Sequence, residues 1–305
     1  VDPAAITTEG LTKHYGSFAA LADLDLEVAA GEALGFLGPN GSGKTTTIRL
    51  LLGLIRPTGG RAEIFGLDSR RQAVEAHLRL AYVPGEVSLW PALTGGETLH
   101  LLGEVQGRVD TAYRDELIER FDLDPSRKVR AYSKGNRQKL MLIAALAARP
   151  DLLLLDEPTS GLDPLMEQAF RRCVHEARER GQTLFLSSHI LSEVEALCDR
   201  VAILRQGRLV EIGTLSEMRH LTALSVEATF DGSVPDLSRL AGVSVVSVDG
   251  PVVRLHVQGP IEPLLKVLAA SGVHELLSHE PSLEELFLAH YGGDDAEHAG
   301  GARVG

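Results

Sequence analysis

Leu152-Leu153-Leu154-Leu155-Asp156-Glu157-Pro158-Thr159-Ser160-Gly161-Leu162-Asp163 decides how this chain is read. Four consecutive apolar residues predict a strand buried on both faces. Two carboxylates then emerge at its C-terminal end, the edge where open α/β sheets bind ligands. Buried carboxylates are costly unless a cation or a proton makes use of them. Asp156 and Glu157 therefore imply a partner elsewhere in the chain.

Gly38-Pro39-Asn40-Gly41-Ser42-Gly43-Lys44-Thr45 is that partner. It fits the phosphate-cradling pattern G-x-x-x-x-G-K-[ST] at every fixed position. The glycines let the backbone turn tightly and aim N–H groups at phosphate oxygens. Lys44 has the reach for the β- and γ-phosphates, and Thr45 offers a hydroxyl to Mg²⁺. Ala33–Leu37 reads as a short buried strand before the loop, and Thr46–Gly53 as a helix after it. The helix start adds partial positive charge. Asp156 then holds Mg²⁺, directly or through water, and Glu157 orients or deprotonates the attacking water.

Composition narrows the class. The chain has 305 residues, 44% of them hydrophobic, enough for one large domain and a smaller one. A net charge of −12 argues against a nucleic-acid partner and against electrostatic docking on anionic lipid. The two cysteines, Cys173 and Cys198, fall in helical patterns and read as reduced thiols. No apolar run approaches the roughly eighteen residues that span a bilayer. Val1-Asp2-Pro3 carries no secretory signal pattern.

Along the chain, Ile6–Val28 and Ala62–Gly66 alternate as half-buried antiparallel strands. Helical spacing follows over Thr98–Val105, Ala112–Phe121 and Ser133–Ala147. Leu80–Val83, Asp151–Leu155, Thr183–Ser187 and Arg200–Leu204 read as strands of a βαβ layer. Past Arg219 the texture changes. Strands at Leu224–Phe230, Val243–Val248, Val252–Val257 and Val273–His279, with helices at Asp236–Ala241 and Ile261–Ser271, give the order βαββαβ of a ferredoxin-like fold. Ser282 and Glu285 form a capping box for a last helix, and Gly292–Gly305 lacks core-forming residues. His256, His274 and His279 are scattered and read as surface or packing residues.

Further motifs carry a resemblance. Tyr132-Ser133-Lys134-Gly135-Asn136-Arg137-Gln138 opens the helical run before Asp156. It resembles the signature motif of ATP-binding cassette (ABC) ATPases. Ser160-Gly161-Leu162-Asp163 resembles the D-loop of that family, and Ser187-Ser188-His189 its switch histidine. The motifs fall in family order between Ile6 and Arg219. The chain most resembles the drug-efflux, daunorubicin-resistance-like branch of ABC-2 transport ATPases. The resemblance implies an α/β P-loop ABC ATPase domain over 1–219, with a mixed sheet core, an antiparallel β subdomain and a helical subdomain. An α+β ferredoxin-like accessory or dimerisation domain then occupies 220–291, and a disordered tail 292–305.

By the same resemblance ATP and Mg²⁺ are the cofactors, with Glu157 and His189 catalytic. Tyr15 stacks on adenine, and Gly38, Asn40, Gly41, Ser42, Gly43, Lys44, Thr45 and Thr46 bind the phosphates. Ser133, Lys134, Gly135, Asn136 and Asp163 face the ATP of a second, identical subunit; Lys134 reads equally as a solvated surface lysine. Integral membrane permease subunits of ABC-2 type are the implied partners, which puts the chain at the cytoplasmic face of the plasma membrane. Two departures stand out. Gly85 occupies the position of a family glutamine, leaving Glu86 as a substitute oxygen ligand or a plain loop glutamate. Asn136 replaces another glutamine. Trp90 reads evenly as a core residue or as part of a groove for a membrane-subunit helix. The implied function is the ATP-hydrolysing motor of an exporter. An importer ATPase with a regulatory C-terminal domain, and a nucleotide-gated regulator with little turnover, are the alternatives; a soluble repair or translation ABC protein lacks its expected basic surface here.

Overall fold

The structure is a computed structural model that describes residues 4–220, 224–232, 234–237, 240–257 and 260–279. The expected last helix with its Ser282–Glu285 capping box, and the glycine-rich tail, lie outside the described residues. The chain divides into two compact units, Val1–Gly213 and Thr214–Gly305.

In chain order the first unit runs β1 (Ile6–Tyr15), β2 (Phe18–Val28), β3 (Ala33–Leu37), α1 (Lys44–Leu51), β4 (Gly59–Ile64), β5 (Leu67–Asp68), α2 (Ala73–His77) and β6 (Leu80–Val83). It continues through α3 (Gly95–Gln106), α4 (Thr111–Arg120), α5 (Lys134–Ala147), β7 (Leu152–Asp156), α6 (Pro164–Glu179), β8 (Thr183–Ser188), α7 (Leu191–Leu197), β9 (Arg200–Arg205) and β10 (Arg208–Thr214). Strands β2-β1-β4-β5 form one sheet, antiparallel at each paired edge. A second sheet has the order β10-β9-β3-β8-β7-β6, parallel from β9 through β6.

Every residue of β3, β7 and β8 is buried, as continuous apolar runs require of a strand covered on both faces. Phe36 and Phe185 meet across that sheet with ring centroids 5.1 Å apart. One core runs from this sheet into the antiparallel one, through Ile6, Leu24, Ile48, Ile64, Leu152 and Phe185. Gly35 sits where a Cβ would come within 2.2 Å of Val194, so its lack of a side chain lets α7 lie directly on β3. In the helical region, α3 starts with a reciprocal capping box. Thr94 Oγ1 accepts from the Glu97 amide, and the Glu97 carboxylate accepts from the Thr94 amide at 2.7 Å. This start lies before the expected Thr98. These hydrogen bonds also hold the Glu97 carboxyl below its usual pKa.

The second unit comprises α8 (Leu215–His220), β11 (Leu224–Phe230), β12 (Val243–Asp249), β13 (Val252–Val257), α9 (Glu262–Ala270) and β14 (Val273–His279). Its sheet order, β12-β13-β11-β14 with antiparallel neighbours, is the ferredoxin-like order. The expected helix over Asp236–Ala241 is not formed at its described residues. A segment that short, following Pro235, gains too few intrahelical bonds to nucleate. Leu237 is nonetheless buried and packs with Leu264 and Leu268 of α9 beneath the sheet.

Candidate functional site

Parallel register creates the site. Leu37 pairs with Ser188 and Asp156 with Ser187, so β3, β7 and β8 end at the same level. The loops leaving them bring Lys44, Asp156, Glu157 and His189 to one sheet edge.

The loop after β3 is shaped by its glycines. A Cβ on Gly38 would lie 2.3 Å from the Leu204 carbonyl oxygen, and one on Gly43 2.6 Å from that of Ala20. Gly43 also has φ of 113° and begins α1 without a side-chain cap. Gly41, Asn40 and Pro39 form the exposed tip, while Ser42 and Lys44 are buried. The Lys44 ammonium donates to the carbonyls of Gly38 at 2.6 Å and Pro39 at 3.2 Å. Burial pushes its pKa down, opposed by the nearby charges of Glu157 and Asp156. The Ser42 hydroxyl is buried with no hydrogen-bond partner among the described residues. An orphaned buried hydroxyl in this glycine-rich loop fits an anionic group such as phosphate. Thr46 is half-buried on the first turn of α1.

Asp156 ends β7 only 4% exposed. One of its oxygens accepts from Thr45 Oγ1 at 3.1 Å, and the other from the Ser187 hydroxyl. A hydroxyl and a carboxylate this close form a hard-oxygen pair of the kind that Mg²⁺ takes alongside substrate phosphates. Among the described residues no group of three or more His, Cys, Asp or Glu forms a metal cage.

Glu157 has φ of 47°, in the left-handed region that a glutamate seldom adopts. Its amide donates to the Ser187 carbonyl at 3.0 Å, and its carbonyl accepts from the Ser160 amide at 3.1 Å. This turn aims the carboxylate at His189, whose Nδ1 lies 3.2 Å from Glu157 Oε1. Two residues singled out from separate motifs therefore meet.

Beside them is a cavity of about 440 Å³, lined by Thr45, Tyr82, Glu86, Lys134, Asp156 and Glu157, among others. Arg49 and Tyr82 were missed as site residues, since nothing in their spacing marks them. Burial, then the charge of Asp156, raises the Tyr82 phenol to about 12. Gly85 packs on Asp156, with a Cβ there 3.1 Å from its carbonyl oxygen, and Glu86 is exposed at the cavity wall. Lys134 donates to the Ser160 hydroxyl at 2.8 Å, a partner within its own chain that neither reading of this lysine anticipated.

The remaining candidates lie at helix starts or strand ends. Ser133 caps α5 by accepting from the Asn136 amide, and is exposed. Gly135 is held by a close approach, since a Cβ there would lie 2.4 Å from the Gly161 carbonyl oxygen. Asp163 caps α6, accepting from the Leu165 and Met166 amides. Tyr15 is half exposed at the end of β1, paired with Phe18 and with the Lys13 ammonium 4.9 Å from its ring. Trp90 is 49% exposed, which removes the core reading. Cys173 and Cys198 are buried free thiols, and burial raises the pKa of both.

The ABC transporter family model matches residues 21–160. The chain is 38% identical to the daunorubicin resistance ATP-binding protein DrrA3 of Streptomyces coeruleorubidus, over 95% of this chain and 96% of that one. It is 43% identical to the bacitracin transport ATP-binding protein BcrA of Bacillus licheniformis, over 68% of each. Among solved structures, an ATP-binding subunit of an ABC transporter superposes with a TM-score of 0.66 at 33% identity, covering 70% of this chain and 92% of that one.

Proposed function

The chain belongs to the ATP-binding family of ABC transporters, whose members hydrolyse ATP, and from that premise we propose that it is the motor subunit of a drug exporter. Two copies sandwich two ATP molecules. In each site one subunit supplies the Lys44 loop, Asp156, Glu157 and His189, and the other supplies Ser133, Gly135 and Asp163. Tyr15 stacks on the base, an interaction worth about 1–3 kcal/mol in comparable contacts. Closure of the pair moves separate membrane subunits of ABC-2 type, which hold the chain at the cytoplasmic face of the membrane. Among the described residues no helix is long and apolar enough to cross a bilayer. One relative is named for daunorubicin resistance and the other for bacitracin transport, which supports this reading. The domain division at 219/220 belongs to this reading, with 220–291 as an accessory module.

Thr45 and Asp156 are the residues to hold Mg²⁺, with Glu86 a weaker third. When bound, the ion would neutralise charge on the phosphates. Glu157 orients water and accepts its proton, and His189 holds the γ-phosphate and the Glu157 carboxylate in place. The observation that carries this reading is the approach of His189 to Glu157 beside the Thr45–Asp156 pair. Glu157→Gln keeps the shape and removes the base, so ATP turnover falls by about 100-fold or more while nucleotide still binds. A Glu157→Gln protein that hydrolyses ATP at the parental rate ends the assignment.

A further inference from the structure

Glu193 is 3% exposed, on α7 beneath the site. Among the described residues both of its oxygens accept from hydroxyls and neither from a cation. Thr159 Oγ1 donates to one, and Ser188 Oγ to the other at 2.7 Å. A buried carboxylate with no counter-ion is destabilising unless hydrogen bonds hold it. Here the hydrogen bonds join the turn that leaves β7 to the turn that leaves β8, beyond the last paired residues of the two strands. Thr159 lies two residues after Glu157, and Ser188 immediately precedes His189. The Ser188 hydroxyl also accepts from the Ile190 amide at 2.9 Å, closing a turn around His189. On the far side Gln138 of α5, itself buried, donates to the Pro158 carbonyl at 3.0 Å. The seat of Glu193 is fixed by its neighbour Val194, which fills the space above Gly35 on β3.

We propose that Glu193 is a positioning residue that clamps the turn carrying Glu157 to the turn carrying His189. This inference rests on the proposed roles of those two residues. Its effect falls on the hydrolytic step rather than on nucleotide binding, because among the described residues the cradle around Lys44 shares no hydrogen bond with it.

The test uses the full chain. Glu193→Ala lowers kcat for ATP by about ten- to a hundredfold, the scale of a misplaced catalytic group, while ATP affinity, measured in a Glu157→Gln background, stays within about twofold. Glu193→Gln keeps one acceptor oxygen, and Ser188 can turn its proton to the Ile190 carbonyl 3.1 Å away; this variant recovers most of the loss. In a His189→Ala background, Glu193→Ala costs nothing further, since the geometry it maintains has already lost its purpose. Three results overturn the proposal: a parental kcat in Glu193→Ala, a parallel loss of ATP affinity, or a loss that multiplies with that of His189→Ala. If Glu193→Ala fails to fold, Thr159→Val and Ser188→Ala, each removing one strand of the clamp, are judged by the same three criteria. Full turnover in Glu157→Gln or His189→Ala would instead defeat the site assignment itself, so the two failures are distinguishable.

Discussion

Helices α1 and α5 both begin at glycine-bearing motifs, but the two starts are built differently. The α1 start has no side-chain cap, and it follows a loop whose Ser42 hydroxyl is buried with no partner among the described residues. Thr45, Asp156, Glu157 and His189 surround it, all from the same chain. The α5 start is capped by its own Ser133, which is exposed, and Gly135 is pressed against Gly161. One start is thus surrounded by the groups proposed to be catalytic, and the other is capped by its own side chain and exposed. That asymmetry supports the proposed site shared between two subunits, in which one start holds ATP and the other closes over it.

The hardest strain on this comparison comes from Lys44→Ala. It removes the cation from the enclosed start, and ATP turnover drops by about a hundredfold or more, read in a steady-state phosphate-release assay. Asp156→Asn follows closely and abolishes the Mg²⁺ dependence of turnover; near-parental Mg²⁺ titration would contradict the pairing of Asp156 with Thr45. The division of labour itself is tested by mixing. Lys44→Ala and Gly135→Asp proteins, each inactive alone, regain part of the activity when combined, because one of the two sites in a mixed pair is intact. No recovery in a mixture shown to contain mixed dimers would mean that both starts serve a single chain.

Smaller effects sharpen the contrast. Ser133→Ala removes a cap worth about 1 kcal/mol, lowering the melting midpoint by about 2–4 °C in a unit of this size. The α1 start has no equivalent cap to lose. The smallest effect is electrostatic. Burial lowers the Lys44 pKa below its ordinary 10.5. Between the two values the unfolded chain holds more protons than the folded one, so stability rises with pH there. In Lys44→Met that rise is absent, and urea titrations at a series of alkaline pH values measure the difference.

The sequence exposes the enclosed half more fully than the outward half, for a physical reason. Buried strands and phosphate loops impose local rules, such as runs of apolar residues and glycines at fixed offsets, and Leu152–Asp156 and Gly38–Thr45 obey them. The resemblance to ABC ATPases supplied Ser133 and His189, which no local rule singles out. Contacts that depend on tertiary placement stayed hidden. Glu193 lies four residues past His189 on a short helix, and only the packing of Val194 on Gly35 turns it inward. Gln138 was visible within the signature motif, but its bond to Pro158 joins residues 20 apart in sequence. The helix expected at Asp236–Ala241 is not formed at its described residues, because a segment that short after Pro235 gains too few intrahelical bonds to nucleate. The α3 start was legible and overlooked: Thr94-Gly95-Gly96-Glu97 is a capping box in plain spelling.

The backbone at Glu157 places selection for activity against selection for stability. Holding a glutamate at φ of 47° costs about 1–3 kcal/mol, whereas asparagine tolerates that region. Of two inactive amide variants, Glu157→Asn therefore melts above Glu157→Gln. A lineage released from the need to hydrolyse ATP would gain stability by drifting at this one position, so its glutamate is sustained by the chemistry against the preference of the fold.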